Sequence, residues 1–228
     1  MLQSKDKKKK FLFYFFILFF LSSINNLSFF RSKNINFKVN NIKVIGLNKS
    51  NNLEISKSLN QVTLKNIFFL KRDNLSKIVE KNSLVQNFII KKIYPDTILV
   101  KIKKTKYVGI IIKDNKKFFI GSNAKLILFK EDKNNLPYVF GKVDLNDFLK
   151  FIEIIQKSNF KYIEIKEIYY FPSGRWDIKT KEGILFRFPE KNLSKSLNFA
   201  YKIINDNEFI NHKIIDLRVP QYAVLNNG

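Results

Sequence analysis

The sequence predicts a mixed α+β protein: an N-terminal transmembrane helix, a small β-α-α-β-β domain, then a mostly antiparallel β-rich domain with flanking helices. Three observations carry that expectation. An unbroken run of eleven apolar residues, Phe11–Leu21, follows a cluster of lysines. Two short segments further on repeat apolar residues at helical spacing, and the segments around them alternate apolar with polar residues. Beyond about residue 107, short β-rich runs dominate, broken by two further helical patterns.

The N-terminal segment comes first. Lys5, Lys7, Lys8, Lys9 and Lys10 precede Phe11–Leu21, and Leu27, Phe29 and Phe30 extend the apolar stretch beyond Ser22, Ser23, Asn25 and Asn26. A basic tail over 1–10 and a membrane helix over 11–30 are therefore expected, since about 20 residues cross a hydrocarbon core. The continuous part also fits the apolar region of a cleaved signal peptide, although no Ala-x-Ala site follows it. Both readings carry the rest of the chain across the membrane, with the lysine cluster on the cytoplasmic side. Arg31, Lys33 and Lys38 oppose that orientation with fewer charges. A buried core helix is disfavoured, because the run has no polar face.

Composition limits the function classes. The 228 residues carry 42 Lys+Arg against 19 Asp+Glu, a net charge of +23. Taken alone, that charge suggests nucleic acid or anionic lipid. Only five of the basic residues are arginines (Arg31, Arg72, Arg175, Arg187 and Arg218), and Arg is the side chain that forks onto phosphates. The lysines are spread along the chain, alongside abundant Asn, Ile, Phe and Tyr, a bias that A/T-rich codons produce. Solvated lysine faces are expected, and no specific nucleic-acid partner. The absence of Cys removes disulfides, thiolate nucleophiles and thiolate metal sites. The one histidine, His212, reads as a surface residue. Carboxylates pair at Asp144/Asp147 and Glu164/Glu167, and read as solvated surface groups rather than an acid–base pair. No Gly-rich phosphate loop or His-based ligand spacing is present, so no catalysis, cofactor, metal or small-molecule substrate is expected.

The first domain is expected over 36–106. Phe37, Val39, Ile42, Val44 and Ile45 form a β-rich stretch ending at Gly46. Asn51 and Glu54 resemble a capping box, followed by Leu53, Ser56 and Leu59 at helical spacing. A second helix is predicted from Asp73 or Asn74, with Leu75, Ile78 and Val79 on one face. Strands follow at Phe88–Ile93 and Thr97–Ile102, separated by Tyr94-Pro95-Asp96. The helices should cover one face of a three-stranded sheet. The order resembles a POTRA domain, a protein-binding module whose sheet edges accept added strands. Asn41-Ile42-Lys43-Val44-Ile45-Gly46 resembles its opening, and Tyr94-Pro95-Asp96-Thr97-Ile98 its final hairpin.

The second domain is expected over 107–228. Strands are predicted at Val108–Ile112, Phe118–Ile120 and Leu126–Phe129, and a further run at Leu136-Pro137-Tyr138-Val139-Phe140-Gly141. A helix fits Asn146–Gln156, with Phe148, Leu149, Ile152 and Ile155 on one face. Strands follow near Ile163–Phe171, Trp176–Thr180 and Ile184–Phe188, with a turn at Lys181-Glu182-Gly183. A helix over Leu193–Ile204 carries Leu197, Tyr201 and Ile204, and a last strand runs from about Ile214 to Leu225. Ser173-Gly174-Arg175-Trp176-Asp177-Ile178, Phe188-Pro189-Glu190 and Ile215-Asp216-Leu217-Arg218-Val219-Pro220 resemble motifs of the FtsQ cell-division family in its alphaproteobacterial form. Leu136-Pro137 with Gly141 also fits. The likeness runs in order along the whole chain: basic tail, anchor, POTRA domain, β-rich domain. Two positions depart from it. The family's Glu-Arg-x-Pro-x-Ala segment at the domain junction is Lys104-Thr105-Lys106-Tyr107-Val108-Gly109 here. Gly121 and Ala124 stand where the family often has Asp and Gly in a strand turn.

The resemblance implies a divisome scaffold in the inner membrane, with its N-terminus cytoplasmic and its bulk periplasmic, enriched at the septum. It also implies the partners FtsB and FtsL alongside other divisome proteins. The domain order favours an anchor over a cleaved signal. The C-terminal region, with Arg218, Val219, Tyr222 and Val224, is implied to pair with FtsB–FtsL by strand addition at an edge, with Pro220 limiting hydrogen bonding there. An ordinary closing strand is the plainer reading. Arg175 and Trp176 complete the candidate contact set, because Arg and Trp recur at binding hot spots; Trp176 also fits a strand core. Arg218 either pairs with Asp216 or meets a partner's acid. Another POTRA-type protein, handling outer-membrane or secreted substrates, is the alternative, although such proteins carry a barrel or repeated POTRA units that this sequence lacks. A basic protein binding DNA or anionic lipid is a third, and would show a steep salt dependence.

Overall fold

The computed structural model describes residues 3–25, 37–129, 135–206, 212–219 and 222–226. An α-helix, α1 (Gln3–Asn25), starts the chain. It includes the lysine cluster, so its continuous apolar part is Phe11–Leu21, about 16 Å at 1.5 Å per residue. Among the described residues, no helix is long and apolar enough to cross a membrane. The rest of the expected span, including Leu27, Phe29 and Phe30, lies outside the described residues. All eleven side chains of Phe11–Leu21 are exposed, by 40–73%.

The chain forms two compact units. One holds Met1–Ile45, Lys49–Ile78 and Ile90–Lys101; the other holds Gly46–Asn48, Val79–Ile89 and Ile102–Gly228. A three-stranded sheet has the order β1-β3-β2, from β1 (Asn41–Ile45), β2 (Val85–Ile93) and β3 (Thr97–Lys104), with β1 parallel to β3. Ile98, Val100 and Ile102 alternate into the interior as period-two patterning predicts. Two helices accompany the sheet, α2 (Lys49–Leu59) and α3 (Arg72–Glu80).

Both helix starts differ from the sequence expectation. Asn51 lies inside α2 rather than capping it, and the buried face is Ile55 and Leu59 while Leu53 is exposed. Asp73 sits in the first turn of α3, where a negative charge is favourable against the helix dipole. Leu75 and Val79 are buried as expected.

The second unit contains a nine-stranded sheet in the order β12-β11-β10-β9-β8-β7-β4-β5-β6. Its strands are β4 (Tyr107–Lys113), β5 (Lys116–Gly121), β6 (Leu126–Leu128), β7 (Tyr138–Phe140), β8 (Ile165–Tyr170), β9 (Trp176–Thr180), β10 (Leu185–Arg187), β11 (Ile214–Asp216) and β12 (Val224–Asn226). Five strand pairs are antiparallel and three are parallel: β4 with β7, β7 with β8, and β10 with β11. The single last strand expected over Ile214–Leu225 is instead two short strands paired antiparallel; Leu217 N–H still donates to the Arg187 carbonyl of β10, and Arg218 and Val219 lie outside both strands.

Two helices, α4 (Leu145–Lys157) and α5 (Leu193–Ile204), pack on this sheet. Phe148, Phe151, Ile152 and Ile155 from α4, and Leu197, Ala200 and Ile203 from α5, meet Val139, Ile168, Ile178, Phe186 and Ile215 from the strands. Each fully buried Phe or Ile there contributes about 1.5–3 kcal/mol. On α5 the inward set is Leu197, Ala200 and Ile203 rather than Leu197, Tyr201 and Ile204, a rotation of the face by about one residue. Ile110, Phe119 and Ile127 form a separate small cluster with Tyr107 and Phe129.

Candidate interaction surface at the terminal sheet edge

Strand alternation sorts the Arg-Trp-Asp-Ile motif onto two faces. Trp176 and Ile178 point to the helices. Trp176 is 7% exposed and stacks on Phe151, with centroids 4.1 Å apart, and packs against Tyr170 at 4.7 Å. The Trp176 ring lies in the core against α4, which fits the strand-core reading of this residue.

Asp177 and Lys179 point to the opposite face. The register aligns Asp177 with Arg187 on β10, Arg187 with Asp216 on β11, and Asp216 with Val224 on β12. Charges therefore alternate in sign across neighbouring strands, the arrangement that favours a sheet surface. Arg175 Nε lies 3.1 Å from Asp177 Oδ1, and Arg187 Nη1 lies 4.0 Å from Asp216 Oδ2. Arg218 Nε donates to both Asp216 oxygens at 2.8 and 2.9 Å, and its Nη2 donates to Oδ2 as well. The Arg175 guanidinium also sits 4.1 Å from the centre of the Phe171 ring. Lys179 pairs with Glu167 at 3.6 Å, and Tyr169 donates its hydroxyl to the same carboxylate.

Three of the five arginines thus converge on one sheet face in a chain whose cations are mostly lysine. Arg175, Arg187 and Arg218 line a depression of about 640 Å³ together with Tyr169, Lys179 and Lys213. Asp177 is only 3% exposed. Burial pushes its carboxyl pKa up, opposed by the positive charges of Arg175, Arg187 and Arg218. Arg175 Nε and Asp177 Oδ1 attract by proximity, yet neither makes an aligned hydrogen bond. The hydrogen bond from Arg218 holds Asp216 below the usual carboxylate range, and the same contact raises Arg218. Burial, reinforced by Glu167, raises the Tyr169 hydroxyl to about 12.

The edge itself is β12, outermost in the order of the nine-stranded sheet. Val219, Tyr222 and Val224 are all exposed, Tyr222 by 69%. Val219 and Tyr222 line a groove of about 400 Å³ with Leu217, Pro189 and the α5 residue Phe199. Pro220 lies outside the described residues. Of the six sequence candidates, Val219, Tyr222 and Val224 gather at the edge, Arg175 and Arg218 border the charged face, and Trp176 belongs to the core. Sequence reading missed Asp177 and Arg187, which strand alternation alone would have placed on the charged face. It also missed Phe199, which only the packing of α5 brings to the groove.

The other carboxylates have structural partners. Asp144 caps α4 by accepting from the backbone N–H of Asn146 at 2.8 Å and of Asp147 at 3.3 Å. Asp147 pairs with Lys150 at 2.9 Å and Glu164 with Lys161 at 3.4 Å.

The fold is a small POTRA module joined to a β-rich domain, and both parts match family models. The FtsQ-type POTRA domain matches residues 37–104, and the C-terminal domain of cell division protein FtsQ/DivIB matches residues 110–218. The cell division protein FtsQ of Rickettsia typhi is 23% identical over 189 residues, covering 81% of this chain and 70% of the relative. That of Rickettsia prowazekii is 24% identical over 189 residues with the same coverage. Among solved structures, the major extracytoplasmic domain of the trans isomer of the cell division protein DivIB from Geobacillus stearothermophilus aligns with 42% of this chain and 87% of its own. Its sequence identity is 13% and its TM-score 0.33, too slight a likeness to bear on the fold. The chain belongs to the FtsQ/DivIB family of cell-division proteins.

Proposed function

We propose that this protein is a non-catalytic scaffold of the division machinery, anchored in the inner membrane by its N-terminal segment with the two folded units in the periplasm. In this reading it links cytoplasmic and periplasmic division proteins at the septum and binds FtsB and FtsL by strand addition at β12. The observation that carries the proposal is the exposed β12 edge beside the groove that Val219 and Tyr222 line with Phe199, Lys191 and Lys195. A peptide laid along that edge satisfies its main-chain hydrogen bonds there and places alternate side chains in the groove. Arg175, Arg187 and Arg218 supply a cationic border that selects an acidic partner segment, while Trp176 holds Arg175 and Asp177 in place from within the core. Eleven exposed apolar side chains in Phe11–Leu21, with no protein packed on them among the described residues, support a lipid environment for α1.

Depletion of the protein is expected to block septation and give filaments. A Tyr222→Ala, Val224→Ala double variant is expected to bind an FtsB–FtsL complex at least about tenfold more weakly, as loss of an aromatic anchor does. Unchanged affinity with normal septation in that variant would remove β12 as the partner site.

A further inference from the structure

We infer that the loop 63–69 of the first unit, with Phe37 and Tyr94, is a docking surface for an anionic lipid bilayer. The backbone of this loop is firmly held. Val39 N–H donates to Lys65 C=O, Leu64 N–H to Val39 C=O, and Ile67 N–H to Phe37 C=O, at 2.8–2.9 Å. Asn66 Oδ1 accepts from the Phe68 N–H at 2.9 Å, and Lys92 Nζ donates to the Phe68 carbonyl at 3.2 Å. Ile67 is fully buried and pins the loop to the core.

The fixed backbone turns large apolar side chains outward. Phe69 is 83% exposed and Leu64 66%. Leu64 also has φ +65°, a conformation that costs a non-glycine residue strain. Phe68 stacks on Tyr94 at 4.9 Å and contacts Phe37 at 5.0 Å, so three rings form one exposed cluster beside Phe69. A contiguous patch of this kind marks an interaction site.

Its border identifies the occupant. Lys38 and Lys65 adjoin Phe37 and Leu64 in the chain, and Lys92 reaches the patch through its bond to the Phe68 carbonyl. Asp73 and Asp96 flank the patch in the chain, and Asp96 is engaged by Asn41 and Thr97. Aromatic rings with lysines beside them suit the boundary between acyl chains and anionic headgroups. Tether length agrees: eleven residues separate Asn25 of α1 from Phe37, a reach of at most about 40 Å when extended. This inference rests on the proposed membrane anchoring of α1 and adds a second, folded contact with the same bilayer.

The chain contains no cysteine, so a single introduced cysteine reports one position. The full-length protein, carrying either Phe69→Cys or Lys181→Cys with an environment-sensitive fluorophore, is reconstituted in nanodiscs of neutral or of 30% anionic lipid. The expected result is a blue shift and loss of aqueous quenching at position 69 in anionic discs. Position 181, an exposed turn of the second unit, stays in water. A Lys65→Glu, Lys71→Glu background abolishes the shift. An aqueous signal at position 69 in anionic discs, or an equal shift in neutral ones, overturns the inference. Failure of the anchor reading is distinguishable, because the chain would then not be retained in the discs at all.

Discussion

At the scale of single residues, the buried carboxylate of Asp177 governs the charged face. It is held out of water next to Arg175 at 3.1 Å, with Arg187 opposite it in register. Removing one partner of a buried pair strands the other charge. Arg175→Ala is therefore expected to destabilise the second unit by about 2–4 kcal/mol, measured by urea unfolding, even though Arg175 itself is only partly buried. A change below about 0.5 kcal/mol would show that Arg187 and Arg218 compensate in full. Asp216 behaves in the opposite sense. Its folded pKa is depressed by Arg218, so its contribution to stability is present above the ordinary carboxylate pKa, about 3.9, and is lost as pH falls through the depressed folded value. Asp177 has a raised folded pKa, so ionising it as pH rises past that range opposes folding. Asp216→Asn is expected to lower the unfolding free energy at pH 7 by about 1 kcal/mol, with the deficit shrinking toward pH 3. A deficit of equal size at both pH values would exclude the ion pair as its source.

At the scale of elements, the helix and strand patterns were legible where one face is buried and the other wet. The α5 boundaries follow from periodicity alone, and β3 follows from alternation. Errors arose where a polar residue had two competing roles. Asn51 looked like a cap and lies inside α2, whereas Asp144 looked like a solvated carboxylate and caps α4. Whether a side chain caps depends on the backbone geometry at its own position, which tertiary packing selects. Asp144→Ala is expected to cost about 1 kcal/mol in thermal or chemical unfolding. A neutral effect would mean that water replaces the cap at no cost. Two motif glycines acquire a physical reason in the same way. A Cβ on Gly46, at φ +116°, would lie 1.9 Å from the Ile102 carbonyl oxygen, and one on Gly141, at φ +101°, would lie 2.2 Å from that of Tyr170. Each glycine ends a strand at a turn that passes against backbone, where no side chain fits.

At the scale of the whole molecule, the proposed function depends on confinement. Two folded units tethered to a membrane meet partners in the same plane at high effective concentration, so a short edge strand and a small groove can suffice for capture. The anchor is testable directly. Intact-mass analysis of the native protein is expected to find residues 1–25 retained, and alkaline extraction to leave the chain in the membrane fraction. A mature chain beginning near Asn25 would convert the segment into a cleaved signal and remove the tether.

The mixed α+β class, most of the element order, the lysine-flanked apolar run and the family are legible from local pattern, because burial periodicity, turn residues and short motifs are local. Only the folded structure separates the motif residues that are buried from those left at the surface. Trp176 and Arg175 are adjacent in sequence, yet strand alternation and the packing of α4 send the ring into the core and leave the guanidinium at the charged face. The pairing of β12 at the outer edge, the arrival of Phe199 beside Tyr222 and the convergence of three arginines all depend on contacts between residues far apart in the chain. No local pattern encodes such contacts, because they form only when the whole sheet closes on its helices.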